Sequence, residues 1–161
     1  SIPEMSTFKM YKSLLKMINF TLREIENAWK NNLRLYESPE IPKTNSHRLM
    51  LFYAVECGLK AAIMRRRRME ITDSNLFVDL GHNINKLLDE LKVSHLKLPR
   101  NFRLKDIKEG ERTCSPEQIN QIWRYGHSFD SRKSYCREDD DSIEKRLIEI
   151  VKWIKGELPR V

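Results

Sequence analysis

The chain has 161 residues, of which 40% are hydrophobic, and its 30 Lys and Arg against 23 Asp and Glu give a formal net charge of +7. That length suits a single domain, read as residues 1–161, with a core of its own, and five Gly and six Pro favour helices over tight-turned sheet. Cys57, Cys114 and Cys136 are widely spaced with no Cys-x-x-Cys pair, which suggests neither a disulfide framework nor a zinc site and fits a reducing cytoplasm. No run approaches the roughly 18 to 20 apolar residues of a membrane span, and the N-terminus lacks a signal-peptide core. The chain opens on Ser1 without Met, which leaves open an expression remnant or a piece of a longer polypeptide.

Phe8, Tyr11, Leu15, Ile18, Leu22, Ile25 and Trp29 alternate spacings of three and four, predicting one long opening helix packed along another. Ser38-Pro39-Glu40-Ile41-Pro42 ends it, since proline removes a backbone donor and biases its predecessor away from helical angles. A second helix begins near Thr44 to Ser46 and carries Leu49, Phe52, Tyr53, Val55, Leu59 and Ile63 on a wide apolar face. It closes on Arg65-Arg66-Arg67-Arg68, four cations that suit either a solvated last turn at the negative end of the helix dipole or a phosphate.

Gly81 stops the next connection, and Asn83 caps a short third helix holding Ile84, Leu87, Leu88 and Leu91. Lys92 to Thr113 has no clean period and reads as a mobile basic loop with at most one short helix. Ser115-Pro116-Glu117-Gln118 combines a capping Ser, a proline in the first helical turn and a capping-box Gln. That fourth helix runs through Ile119, Ile122 and Trp123 to Tyr125-Gly126, where glycine suits the left-handed C-terminal position. Asp141-Ser142-Ile143-Glu144 opens a last helix with the stripe Ile143, Leu147, Ile150, Val151, Ile154 and Leu158. The acidic run Glu138 to Asp141 is explained by the dipole rather than by a metal. The predicted fold is therefore all-α, an antiparallel bundle of four to five helices, and Trp29, Trp123 and Trp153 belong to its core before they are stacking platforms.

Two segments stand out: Tyr53-Ala54-Val55-Glu56-Cys57-Gly58-Leu59-Lys60-Ala61-Ala62 in the second helix, and Gly81-His82-Asn83-Ile84-Asn85-Lys86-Leu87-Leu88 opening the third. In order and spacing they resemble the HEPN family (higher eukaryotes and prokaryotes nucleotide-binding), with its Glu-x-x-x-Lys-Ala helix and Gly-His-Asp/Asn-Leu/Ile turn. The resemblance covers roughly Leu14 to Leu158. It implies RNA cleavage or nucleic-acid-linked defence by a homodimer that juxtaposes two motifs, with no cofactor and no metal. The family's ribonuclease signature, an Arg four to six residues before a His, is missing: Asn120, Gln121 and Ile122 precede His127 at five to seven residues, and His47, His82 and His95 fare no better.

Trp123 to Tyr135 falls where the family places its functional motif. Arg124-Tyr125 is similar to the Arg-Tyr of divergent, non-nucleolytic members. Arg124, His127 and Arg132 are the candidate catalytic residues of a rebuilt site, and Arg124, His127, Ser128, Arg132, Lys133 and Tyr135, with Arg100 and Arg103 of the basic loop, are the candidate phosphate or nucleic-acid ligands. Against this stands a purely structural reading in which Arg124 pairs with Glu56, Tyr125 and Phe129 pack over the bundle end, and His127 is a turn residue. Glu56 and Lys60 are spaced for an intrahelical pair, and His82 is expected to bond backbone or cap the third helix.

Three functions remain in view. The first is a module binding RNA or another phosphate-bearing ligand in a prokaryotic defence setting such as toxin–antitoxin, abortive infection or CRISPR-associated systems. The second is a metal-independent endoribonuclease. The third is an interaction subunit that docks a partner protein through an exposed apolar strip from Phe8 to Trp29.

Overall fold

The computed structural model describes residues 18–104, 113–126, 128–129 and 139–159, and these are predominantly helical. The helices are α1 (Leu22–Tyr36), α2 (Asn45–Arg66), α3 (Ser74–Leu80), α4 (Ile84–Glu90), α5 (Ile119–Arg124) and α6 (Asp140–Glu157), with single 3₁₀ turns at Ser94–Leu96 and Pro116–Gln118. A two-residue antiparallel pair, β1 (Phe102–Arg103) with β2 (Thr113–Cys114), joins the middle of the basic loop to its end. Among the described residues, no helix is long and apolar enough to cross a membrane.

Helix α2 is the axis of the molecule and packs against α1, α4, α5 and α6. Its predicted apolar face turns out to be nearly its whole circumference, with Leu51, Phe52, Ala54, Val55, Gly58, Leu59 and Ala61 through Met64 all buried. A helix buried all round needs small residues wherever a neighbour comes close. Gly58 shows this directly: a Cβ there would lie 2.8 Å from Trp29 Cε3 and 2.9 Å from Ile154. The stripe predicted for α6, from Ile143 to Leu158, is buried in full, and Trp29 and Trp123 are core residues. Trp153 is partly buried, with the Arg66 guanidinium 5.7 Å from its ring centroid.

Several boundaries differ from those expected. The helix that carries Trp29 begins at Leu22, where Thr21 and Glu24 form a capping box with bonds of 3.2 and 2.8 Å. The backbone before it is extended instead: Thr72 N donates to Phe20 O and Leu22 N to Glu70 O, both at 2.8 Å. The heptad seam therefore breaks at Thr21. Phe8, Tyr11 and Leu15 lie outside the described residues, while Ile18 and Phe20 are exposed and Trp29 is buried, so the strip expected from Phe8 to Trp29 is not one continuous exposed face.

The second helix starts as expected at Thr44, with His47 completing the box through Nδ1, 3.1 Å from Thr44 N. The connection before Gly81 contains an unforeseen helix, α3, capped by Asp73. The last helix is capped two residues earlier than predicted: Asp139 Oδ1 accepts from Ser142 N at 2.8 Å. This bond holds the Asp139 carboxyl below its ordinary pKa. Asp140 and Asp141, freed from capping, serve as tertiary acceptors for Trp123 Nε1 and Arg48, at 2.8 and 2.9 Å.

A candidate anion site on α2

The tetra-arginine run at the end of α2 is largely neutralised. Arg65 pairs with Glu26, Arg66 with Glu157 at 2.8 Å and Arg67 with Glu90 at 2.6 Å. Arg66 also donates to the Leu91 carbonyl at 2.8 Å. Arg68 follows in the left-handed region at φ 54°. These cations stitch α1, α4 and α6 to the end of α2, and the solvated last turn of the sequence reading becomes a structural clamp.

A second polar group lies earlier on the same helix. Tyr53, Glu56 and Lys60 are spaced three and four apart and so share one face. The Glu56 side chain is only 7% exposed. Lys60 Nζ donates to its Oε1 at 3.3 Å, the intrahelical pair expected, and Lys60 also lies over the Phe77 ring. Glu56 Oε1 has a second partner, His82 Nδ1, at 2.6 Å. Histidine 82 is thus neither a backbone bonder nor a helix cap; Asn83, the next residue, caps α4 through Lys86 N. Gly81, at φ 50° and ψ −136°, makes the turn that brings the imidazole back to α2, a backbone conformation that glycine adopts without strain.

The bond to Glu56 raises the His82 pKa above its ordinary value, with partial burial and the nearby Lys60 and Arg124 charges opposing it. The same carboxylate and the burial around it push the Cys57 thiol up to about 11, burial being the larger cause. Cys57 is therefore a partly buried free thiol with little thiolate character.

Arg124 does not pair with Glu56. It ends α5 exposed, and its guanidinium donates to the Tyr53 hydroxyl at 2.5 Å. Gly126, at φ 70°, closes this helix as expected. Tyr125, expected to pack over the bundle end, is 78% exposed, whereas Phe129 is buried and meets Phe102 and Trp123 at 5.3 and 6.1 Å between ring centroids. Ser128 is half-buried beside it. His127, Arg132, Lys133 and Tyr135 lie outside the described residues. Arg103 lies in β1. Arg100 is exposed and lines an open groove of about 530 Å³ with Asn83, Lys86, Lys97 and Glu117.

Sequence reasoning missed the Glu56–His82 bond because its partners are 26 residues apart. The signal was the buried position of Glu56 on a helix whose neighbours are Ala and Gly, since a buried carboxylate requires partners. Comparison of the chain with protein-family models, with curated proteins and with solved structures finds no match.

Proposed function

We propose that the chain is a HEPN-like antiparallel helical module that binds RNA or another phosphate-bearing ligand, acting as a cytoplasmic homodimer in a prokaryotic defence system such as toxin–antitoxin, abortive infection or a CRISPR-associated system. The observation that carries this reading is the 2.6 Å bond between Glu56 and His82. It joins the two segments on which the family resemblance rests, and Arg124 lies close enough to act on the same imidazole. A surface guanidinium held by a neutral phenol keeps its charge available to an anion. The net charge of +7 draws a polyanion to the protein before any specific contact forms.

Retention of labelled single-stranded RNA in EDTA, measured across a salt series, tests the reading. Affinity should fall steeply as salt rises, because released counterions drive much of the binding, and Arg124→Ala should weaken it. Affinity that is the same at low and high salt would count against the proposal. Cleavage scored in the same reactions reports on the endoribonuclease alternative.

A further inference from the structure

We infer that His82 and Arg124 form a proton-gated subsite for one internal phosphate of single-stranded RNA, with the flanking nucleotides laid along the groove that begins at Asn83. This inference rests on the RNA-binding reading above and says where and how the strand is gripped.

The argument begins with charge. Glu56 is buried and must be neutralised, and Lys60 already does so at 3.3 Å. The imidazole of His82 at 2.6 Å is thus a second donor to a carboxylate that has a counter-ion. Once His82 is protonated, one negative charge faces three positive ones: Lys60 on the same helix, His82 on the α3–α4 turn and Arg124 at the end of α5. Among the described residues, these and Glu56 are the charged groups that act on His82. Among the described residues, Arg124 has no carboxylate partner, unlike Arg65, Arg66 and Arg67. Among the described residues, the charges acting on His82 then carry a positive excess.

Geometry says which atoms would hold it. Nδ1 is committed to the buried carboxylate, so the ring is fixed from behind and Nε2 is the nitrogen left to donate outward. The His82 side chain is 56% exposed against 7% for Glu56. A carboxylate that fixes one ring nitrogen orients the other, as it does for imidazoles that bind metals. Arg124 is fixed likewise from one side by Tyr53.

An open surface of this kind favours a phosphate within a chain over an enclosed mononucleotide. The groove that starts at the next residue supplies the continuation. Within it Lys97 is paired with Asp89 at 2.5 Å and Asn83 with Glu117 at 3.2 Å. Lys86 and Arg100 remain as cations with no ion pair among the described residues.

Fluorescence anisotropy of labelled single-stranded RNA on the full chain, at fixed salt from about pH 5.5 to about pH 8.5, tests this around the ordinary imidazole pKa of about 6.5. The wild type should bind about tenfold more tightly at the acid end, the loss coming as pH rises through the raised His82 pKa. His82→Gln should bind like the wild type at high pH and lose this proton-dependent gain. Glu56→Gln should move the midpoint to lower pH. Arg124→Ala should weaken binding at every pH and flatten the salt slope by about 0.7. Lys152→Ala, beside Glu149 on the surface of α6, serves as the neutral control.

Far-UV circular dichroism checks the fold of each variant, and His82→Gln, at a half-exposed side chain, keeps the test decisive if Glu56→Gln unfolds. Wild-type RNA binding with the same pH profile as His82→Gln overturns the subsite and leaves the binding reading standing. Absence of wild-type binding at every pH overturns both. A mononucleotide that competes as well as RNA, at equal phosphate concentration, overturns the strand-in-groove geometry.

Discussion

Glu56 and Gly58 are two positions apart on α2, about 200° around the helix, and their surroundings differ accordingly. At Gly58 the neighbours are Trp29 and Ile154, so close that a hydrogen is the only side chain that fits. At Glu56 the neighbours are Lys60 and His82, and the group opens to solvent through the half-exposed imidazole. One side of the helix is held by shape and the other by charge. Dry packing tolerates no added volume, whereas an ionic cluster can exchange its partners for water or for a ligand. On the reading proposed above, stability and ligand binding would fall to opposite faces of one element.

The sharpest way to break this contrast is to add volume on the dry face. Gly58→Val places a branched side chain against the Trp29 ring and the Ile154 Cγ2 and Cδ1 atoms. Overpacking of this severity should cost about 3 kcal/mol or more, well beyond the roughly 0.5 to 1 kcal/mol gained by removing a helical glycine. Chemical denaturation should show a lower midpoint at unchanged slope. A variant as stable as the wild type would mean that α1 and α6 are not held against α2 as described.

On the polar face, Glu56→Ala removes the buried acceptor of both Lys60 and His82. Breaking a fully buried pair costs about 3 to 5 kcal/mol, but both partners here reach solvent, which lowers the expected loss to about 2 kcal/mol in the same denaturation measurement. A loss equal to that of Gly58→Val would erase the distinction between the two faces.

How far each face was legible in the sequence follows from the range of its interactions. Local signals read well: Thr44 and Asn83 start helices where expected, and the Ser115–Gln118 box opens a 3₁₀ turn that leads into α5 at Ile119, because a cap is settled within four residues. The stripe of α6 read well for the same reason. The Thr21 box was written in the sequence too, but a heptad seam running through it pointed the other way, and tertiary pairing with residues 70–72 decided the outcome. At the last helix several acidic residues compete for one cap, and spacing alone does not choose between Asp139 and Asp141. The Glu56–His82 bond lay beyond reach altogether. Periodicity put Glu56 beside Lys60, but nothing local says which imidazole returns across α3 to meet it.

The dyad also gives stability a pH dependence of known sign. The folded-state pKa of His82 is raised by its bond to Glu56, so its contribution is fully present below the unfolded value of about 6.5 and is lost as pH rises through the folded value. His82→Gln should therefore cost about 1 kcal/mol at the acid end, discounted for exposure, and little above the folded pKa. Denaturation curves of both proteins across this range should converge as pH rises. Curves that stay parallel would show that the imidazolium form gains nothing from Glu56.

The smallest effect is expected where cations are most numerous. Arg67 pairs with Glu90 at 2.6 Å, but the two side chains are 48% and 36% exposed, and ion pairs in such surroundings contribute about 0.5 kcal/mol or less. Arg67→Ala should shift the denaturation midpoint barely beyond error. Its effect on RNA retention is the more telling measurement. If charge number governed binding, removing Arg67 and removing Arg124 would weaken it equally. If the absence of a counter-ion governs it, the loss should be confined to Arg124, because an anion arriving at Arg67 must first displace Glu90. Equal losses at the two arginines would assign RNA binding to the diffuse positive charge of the whole surface and remove the reason for placing it on one face of α2.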